Sequence, residues 1–153
     1  MMRIATRGVT LSLCLCVTLA MMFGATSSFA YKKSVKDTLV GHWQLVSVSV
    51  NGRTPYGSDP HGSMFLDAAG HFSVIIVSDG NARSLAYFGT YTINGPEKSM
   101  VLHIEDSAGG GTPNAAGREL KRLFSLNGDE LSVQNELATG TAGAVTVTWK
   151  RAN

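Results

Sequence analysis

The stretch Ala144-Val145-Thr146-Val147-Thr148-Trp149-Lys150-Arg151 decides the class of this chain. Val145, Val147, Trp149 and Arg151 fall on one face and Thr146, Thr148 and Lys150 on the other, the period of two that belongs to a strand with one face on a core. Its residues are those that suit a pleated, half-buried surface. The same texture extends upstream, in short runs rich in Val, Ile, Thr, Tyr and Phe that are broken by turn residues every eight to twelve positions. Strands are expected over 40–50, 62–67, 71–78, 87–94, 99–106, 118–126, 130–137 and 144–151. In 118–126, Leu120, Phe124 and Leu126 share a face with Arg118 and Arg122. Val74, Ile75, Ile76 and Val77 are contiguous, as expected of a strand that is covered on both faces or paired centrally.

Between these runs lie turn residues. Asn51-Gly52, Asn94-Gly95 and Asn127-Gly128-Asp129 tolerate the positive φ that tight hairpins demand, and Ala68-Ala69-Gly70 closes another connection. Eight strands of about eight residues with seven connections of about five use about 100 residues. Little chain is left for crossover helices, which disfavours parallel βαβ units and leaves an antiparallel meander. The expected fold is therefore all-β, an antiparallel up-and-down β-barrel of about eight strands, whose interior holds side chains or one small ligand. A sandwich or a flattened, filled barrel is the alternative. No internal repeat is visible, and Ala108-Gly109-Gly110-Gly111-Thr112-Pro113 reads as a flexible loop.

The N-terminus has a different character. Arg3 and Arg7 precede an apolar run from Gly8 to Ala25, and Ser28-Phe29-Ala30 places small residues where a signal peptidase reads them. Residues 1–30 are thus expected to be a cleaved secretory signal, followed by a lead-in at 31–38 and the barrel domain at 39–153. The rival reading is an uncleaved anchor, since the run is only just long enough to span a bilayer. Cleavage after Ala30 removes Cys14 and Cys16 with Arg3 and Arg7, leaving 123 residues with 11 basic and 11 acidic side chains. The mature chain then has no disulfide, thiol nucleophile or cysteine metal ligand. Its neutrality also lacks the basic field that nucleic-acid binding requires. A periplasmic or secreted location is expected, with no stable membrane anchor after cleavage.

Gly41-His42-Trp43 at the first strand and Trp149-Lys150-Arg151 at the last resemble the lipocalin signature, in which a cation packs across a tryptophan and closes one barrel end. More widely, residues 39–151 resemble the bacterial lipocalin-like domain family. The likeness is carried by Leu39-Val40-Gly41-His42-Trp43-Gln44-Leu45-Val46-Ser47, Pro60-His61-Gly62, Gly70-His71-Phe72-Ser73-Val74, Tyr87-Phe88-Gly89-Thr90-Tyr91, His103-Ile104-Glu105 and Arg122 through Leu131. The chain departs from that pattern at Leu66, where an aromatic is usual, at Ala69, where an acid is usual, and in the Gly/Ala-rich segment 107–117. The resemblance implies a small barrel that closes on Gly41, Trp43, Trp149 and Arg151, and a ligand-binding role without a known substrate.

His103 and Glu105 stand two apart on a strand and share a face with Val101. On one reading His103 lines the cavity with Arg122, Tyr87 and Tyr91, giving an apolar pocket one cationic, hydrogen-bonding end. On the other, His103, Glu105 and Arg122 form a cross-strand cluster that sets register. His42, His61 and His71 lack diagnostic metal-ligand spacing, so no metal or cofactor is expected. Asp59, His61 and Ser63 crowd one loop, where triad members rarely converge. The glycines at 109–111 lack the lysine of a phosphate loop. Tyr56, Met64, Phe65, Phe72 and Phe88 are pocket wall or core, and Lys32, Lys33 and Lys36 form a solvated face.

The expected function is binding of a small hydrophobic or amphipathic molecule, its apolar body against Trp43, Tyr87, Tyr91 and Phe124, its polar end met by Arg122 and His103. The alternatives are a cyclase or isomerase with His103 and Glu105 as acid/base pair, or a filled barrel with a structural or protein-binding role.

Overall fold

In the computed structural model, residues 33–110, 115–135 and 143–152 are described. The expected signal at 1–30 and Lys32 lie outside them. A short helix, α1 (Val35–Leu39), is followed by β1 (Gly41–Val50), β2 (His61–Leu66), β3 (His71–Val77), β4 (Ser84–Asn94), β5 (Ser99–Ala108), β6 (Glu119–Asn127), β7 (Glu130–Asn135) and β8 (Val145–Arg151). Each strand pairs antiparallel with the next, and β8 returns to β1, so the sheet closes as an eight-stranded up-and-down barrel with no free edge. No helix among the described residues is long and apolar enough to cross a membrane.

Alternation sorts each strand into an inner and an outer set. Met100, Leu102 and Ile104 of β5 and Met64 and Leu66 of β2 are buried. Two bulges change the phase. In β1 the register with β8 slips at Val46, so the inward residues are Trp43 and Leu45 before it and Val48 and Val50 after it. Between β4 and β5, Phe88 pairs with Asp106 and Gly89 with Ile104, which leaves Glu105 as the extra residue.

The run Val74-Ile75-Ile76-Val77 belongs to a strand paired on both sides, by β2 and β4, and not to one covered on both faces. Val74 and Ile76 are buried, whereas Ile75 is 50% exposed on the outer wall. In a closed barrel one face of every strand meets the interior and the other meets solvent, so Ile75, Phe65 and Phe88 remain outside.

The two ends of the barrel differ. Tight connections at 67–70, 95–98 and 128–129 lie at one end, and the longer ones at 51–60 and 78–83 at the other. Asn51-Gly52 does form a tight turn: both residues have positive φ, and Val50 and Arg53 exchange backbone hydrogen bonds of 2.8 and 3.0 Å. It does not lead into β2, however, because the chain wanders to His61 before pairing resumes.

The tight-turn end is sealed. Ser34 and Asp37 form a capping box that starts α1, and Leu39 at the helix end is wholly buried. The Trp43 indole donates from Nε1 to the Leu39 carbonyl at 2.9 Å. The Arg151 guanidinium lies 4.2 Å from the Trp43 ring centre and donates to the carbonyls of Val40 (3.1 Å) and Thr38 (2.6 Å). Gly41 lies beneath it with φ +142°, a backbone conformation that L side chains rarely adopt, and a Cβ there would come within 2.9 Å of the Arg151 Nη1 atom. At the neighbouring turn, Tyr91 donates its hydroxyl to the Asp67 carbonyl at 2.6 Å, and burial pushes its phenol up to about 12. The Asp67 carboxylate accepts from the backbone and ring of His71, which hold its pKa below the usual value.

Arg151→Lys is expected to destabilise the barrel by about 1.5–3 kcal/mol in urea unfolding, because a single ammonium cannot keep the flat stack on Trp43 and both carbonyl bonds. A loss below about 0.5 kcal/mol would show that the seal does not depend on the guanidinium fork.

Candidate functional site

Beyond the seal the interior is not filled. A cavity of about 380 Å³ occupies the barrel and extends toward the long loops. Its walls are apolar, with Met64, Phe72, Val74, Leu102, Val133 and Val147 among the side chains that form them. Trp149, one inward position above Arg151 on β8, also lines it. These positions are set by the period-two alternation of strands whose other face is polar or exposed.

Among the described residues, six that line the cavity carry polar side-chain atoms: Tyr56, Arg83, Tyr87, Arg122, Asn135 and, through its indole N–H, Trp149. Tyr56 and Arg83 come from the connections at the long-loop end, where the Arg83 guanidinium lies 5.9 Å from the Tyr56 ring centre. The Tyr56 carbonyl accepts from the Asp79 backbone at 3.0 Å, which ties the β1–β2 connection to the β3–β4 connection. Tyr87 and Arg122 come from within β4 and β6. Tyr87 meets Phe72 edge to face, with ring centres 5.7 Å apart.

Burial dominates the electrostatics. It raises the Tyr87 phenol above its ordinary value, an effect opposed by the Arg122 charge and reinforced by Tyr56. It lowers Arg122, opposed by Tyr87 and reinforced by Arg118. Tyr56 is raised by burial against the pull of Arg83. At neutral pH the phenols therefore keep their protons and Arg122 remains a cation.

The side chains expected to bind a ligand divide into three groups. Tyr87 and Arg122 line the cavity together. Trp43, Tyr91 and Phe124 are buried at the sealed end or in the packed core and do not line it. His103 is on the outer wall, where its Nδ1 pairs with the Glu119 carboxylate at 3.0 Å and its side chain is 44% exposed. It neither lines the cavity nor joins Glu105 and Arg122 in a cluster, because β5 turns Met100, Leu102 and Ile104 inward and gives His103 to solvent. Glu105, the extra residue of the bulge, is exposed. An acid/base pair of His103 and Glu105 would therefore face away from anything held in the barrel.

Of the four residues expected to close the barrel, Gly41, Trp43 and Arg151 meet at the seal, whereas Trp149 faces the cavity. The other histidines are apart. His42 stacks on Phe65 with ring centres 4.2 Å apart and meets the Ser63 hydroxyl at 3.2 Å. His61 is exposed at the start of β2 and His71 is bound to Asp67. Among the described residues no three His, Cys, Asp or Glu side chains gather as metal ligands.

Sequence reasoning missed Arg83 and Asn135. Arg83 precedes β4 in a connection where no alternation applies. Asn135 is the last residue of β7, and its carboxamide is already engaged: Nδ2 donates to the Gly143 carbonyl at 3.0 Å, and Oδ1 accepts from the Val145 backbone at 2.7 Å. No protein-family model matches the chain, and no curated protein matches it either.

Proposed function

We propose that this chain is an exported, lipocalin-like carrier that holds one small hydrophobic or amphipathic molecule inside its barrel. The observation that carries this reading is the cavity itself, about 380 Å³ with mainly apolar walls, sealed at the Trp43–Arg151 end. That size and composition match small-molecule sites, which run from about 300 to 1,000 Å³ with a few placed polar groups. A barrel meant only as a scaffold gains stability by filling such a space, since each void forfeits packing.

The test is a thermal-shift and native mass spectrometry screen of the purified protein against aliphatic, isoprenoid and aromatic compounds. A true ligand at a hundredfold excess over its Kd stabilises by about 2.7 kcal/mol, a rise in Tm of about 10 °C, and appears as a one-to-one complex. If no compound in the three classes shifts Tm or adds mass, the carrier reading fails. Export is tested separately: the N-terminal residue of protein recovered from the envelope or medium should be Tyr31, and an uncleaved Met1 there would replace the signal with an anchor.

A further inference from the structure

The polar groups that face the cavity have one electrostatic character. Among the described residues that line it there is no aspartate or glutamate, while two arginines are present. Asn135, the neutral amide, has its oxygen occupied by the Val145 backbone. What remains for a ligand is the guanidinium of Arg122, the guanidinium of Arg83, the indole N–H of Trp149 and the hydroxyls of Tyr56 and Tyr87, each able to donate at neutral pH.

Arg122 is the strongest of these features. It occupies an inward position on β6 between Leu120 and Phe124, half-buried against an apolar wall. Its hydrogen bond is to the carbonyl of its own neighbour, Lys121, at 3.2 Å. Among the described residues it forms no ion pair with a carboxylate; those pairs are made by His71, His103, Lys121 and Arg151, away from the cavity. A cation placed in apolar surroundings without a counter-ion is costly, and its partner is then expected to arrive from outside. Tyr87 lines the same cavity, and the charge of Arg122 bears on the ionisation of its phenol.

We infer that the cavity is an anion site for a monocarboxylate, whose carboxylate is held between Arg122 and Tyr87 and whose apolar body runs along the barrel toward Trp149. This rests on the carrier reading above and adds the chemical class. An arginine fork matches a carboxylate by two parallel hydrogen bonds, and the phenol supplies a third donor. The volume sets the size: at about 30 Å³ for each water-sized group, the cavity holds about a dozen non-hydrogen atoms. A ten-carbon straight-chain acid has that size. A cationic amphiphile of equal length would place its charge against two arginines.

The experiment is isothermal titration of the purified protein at pH 7.5 with decanoate, decanol and decyltrimethylammonium, all below micelle formation. Decanoate is expected to bind about tenfold or more tighter than decanol, and the ammonium most weakly. Arg122→Gln is expected to bring decanoate down to the affinity of decanol while decanol binding persists, which shows the variant folded. Tyr87→Phe weakens decanoate alone and tests the same pairing without touching a charge. If decanol and decanoate bind equally, or either variant keeps the full preference, the anion assignment is overturned and the carrier reading stands. If neither decanol nor decanoate binds, the monocarboxylate assignment is overturned, and the carrier reading is decided by the three-class screen above.

Discussion

Trp43→Ala is expected to lower the unfolding free energy by about 3–5 kcal/mol, the range for deleting a large buried aromatic side chain. Three effects act together. The ring is wholly buried, so its removal leaves a void next to Leu39. The Leu39 carbonyl loses the 2.9 Å bond from the indole. Arg151 loses the surface it packs on, and its bonds to Val40 and Thr38 lose their support. Since small domains have only about 5–15 kcal/mol in total, much of the margin goes with this one residue. Urea unfolding followed by far-UV circular dichroism reads the loss, and a change below about 1 kcal/mol would show that the seal does not depend on the ring. Trp43→Phe separates the parts: it keeps most of the volume and the cation-π surface but loses the N–H, for an expected cost of about 1–2 kcal/mol. Because Trp43 does not line the cavity, that variant should bind decanoate as the parent does.

Gly89→Ala is the second large effect, with an expected destabilisation of about 3 kcal/mol. Gly89 sits at the β4–β5 bulge, and a Cβ there would strike the backbone carbonyl of His103 and lie 2.9 Å from the Glu105 nitrogen. Neither is a side-chain end that can swing aside, so the methyl group must push two strands apart along their pairing. The cost is paid where the barrel wall bends. Gly110→Ala is the control, for nothing lies within 4 Å of a Cβ there. That change should stay within about 0.5 kcal/mol, as is usual for open surface positions. Equal stability of the two variants would show that the bulge yields and that the close approach is without consequence.

Alternation within β5 explains a misreading of the candidate site. His103 and Glu105 stand two apart, which in an unbroken strand places them on one face. The pairing skips Glu105, and the face that goes inward is set by the apolar residues between them and before them: Met100, Leu102 and Ile104. Those residues stood in the sequence with the right spacing, and weighing them against a lone histidine would have placed His103 outside. Arg122 was legible for the same reason, because Leu120, Phe124 and Leu126 share its face and carry it inward. Arg83 was not, since no periodicity governs a connection.

The expected strands at 99–106 and 118–126 became Ser99–Ala108 and Glu119–Asn127, differing only at their ends. That agreement has a local cause: alternation, β-branched content and turn chemistry act over a few residues and are written directly in the chain. Strand number, antiparallel order and the inward arginine were therefore readable from the amino acids alone. Only the tertiary structure decided which inward residues meet a cavity and which meet the seal. Depth inside a barrel depends on strand tilt, on the bulges at Val46 and Glu105 and on the closure of β8 against β1, all of which relate residues far apart in sequence. Trp43 and Trp149 show the difference. Both are inward, buried tryptophans of neighbouring strands, yet one lies under Arg151 at the closed end and the other faces the space a ligand would fill.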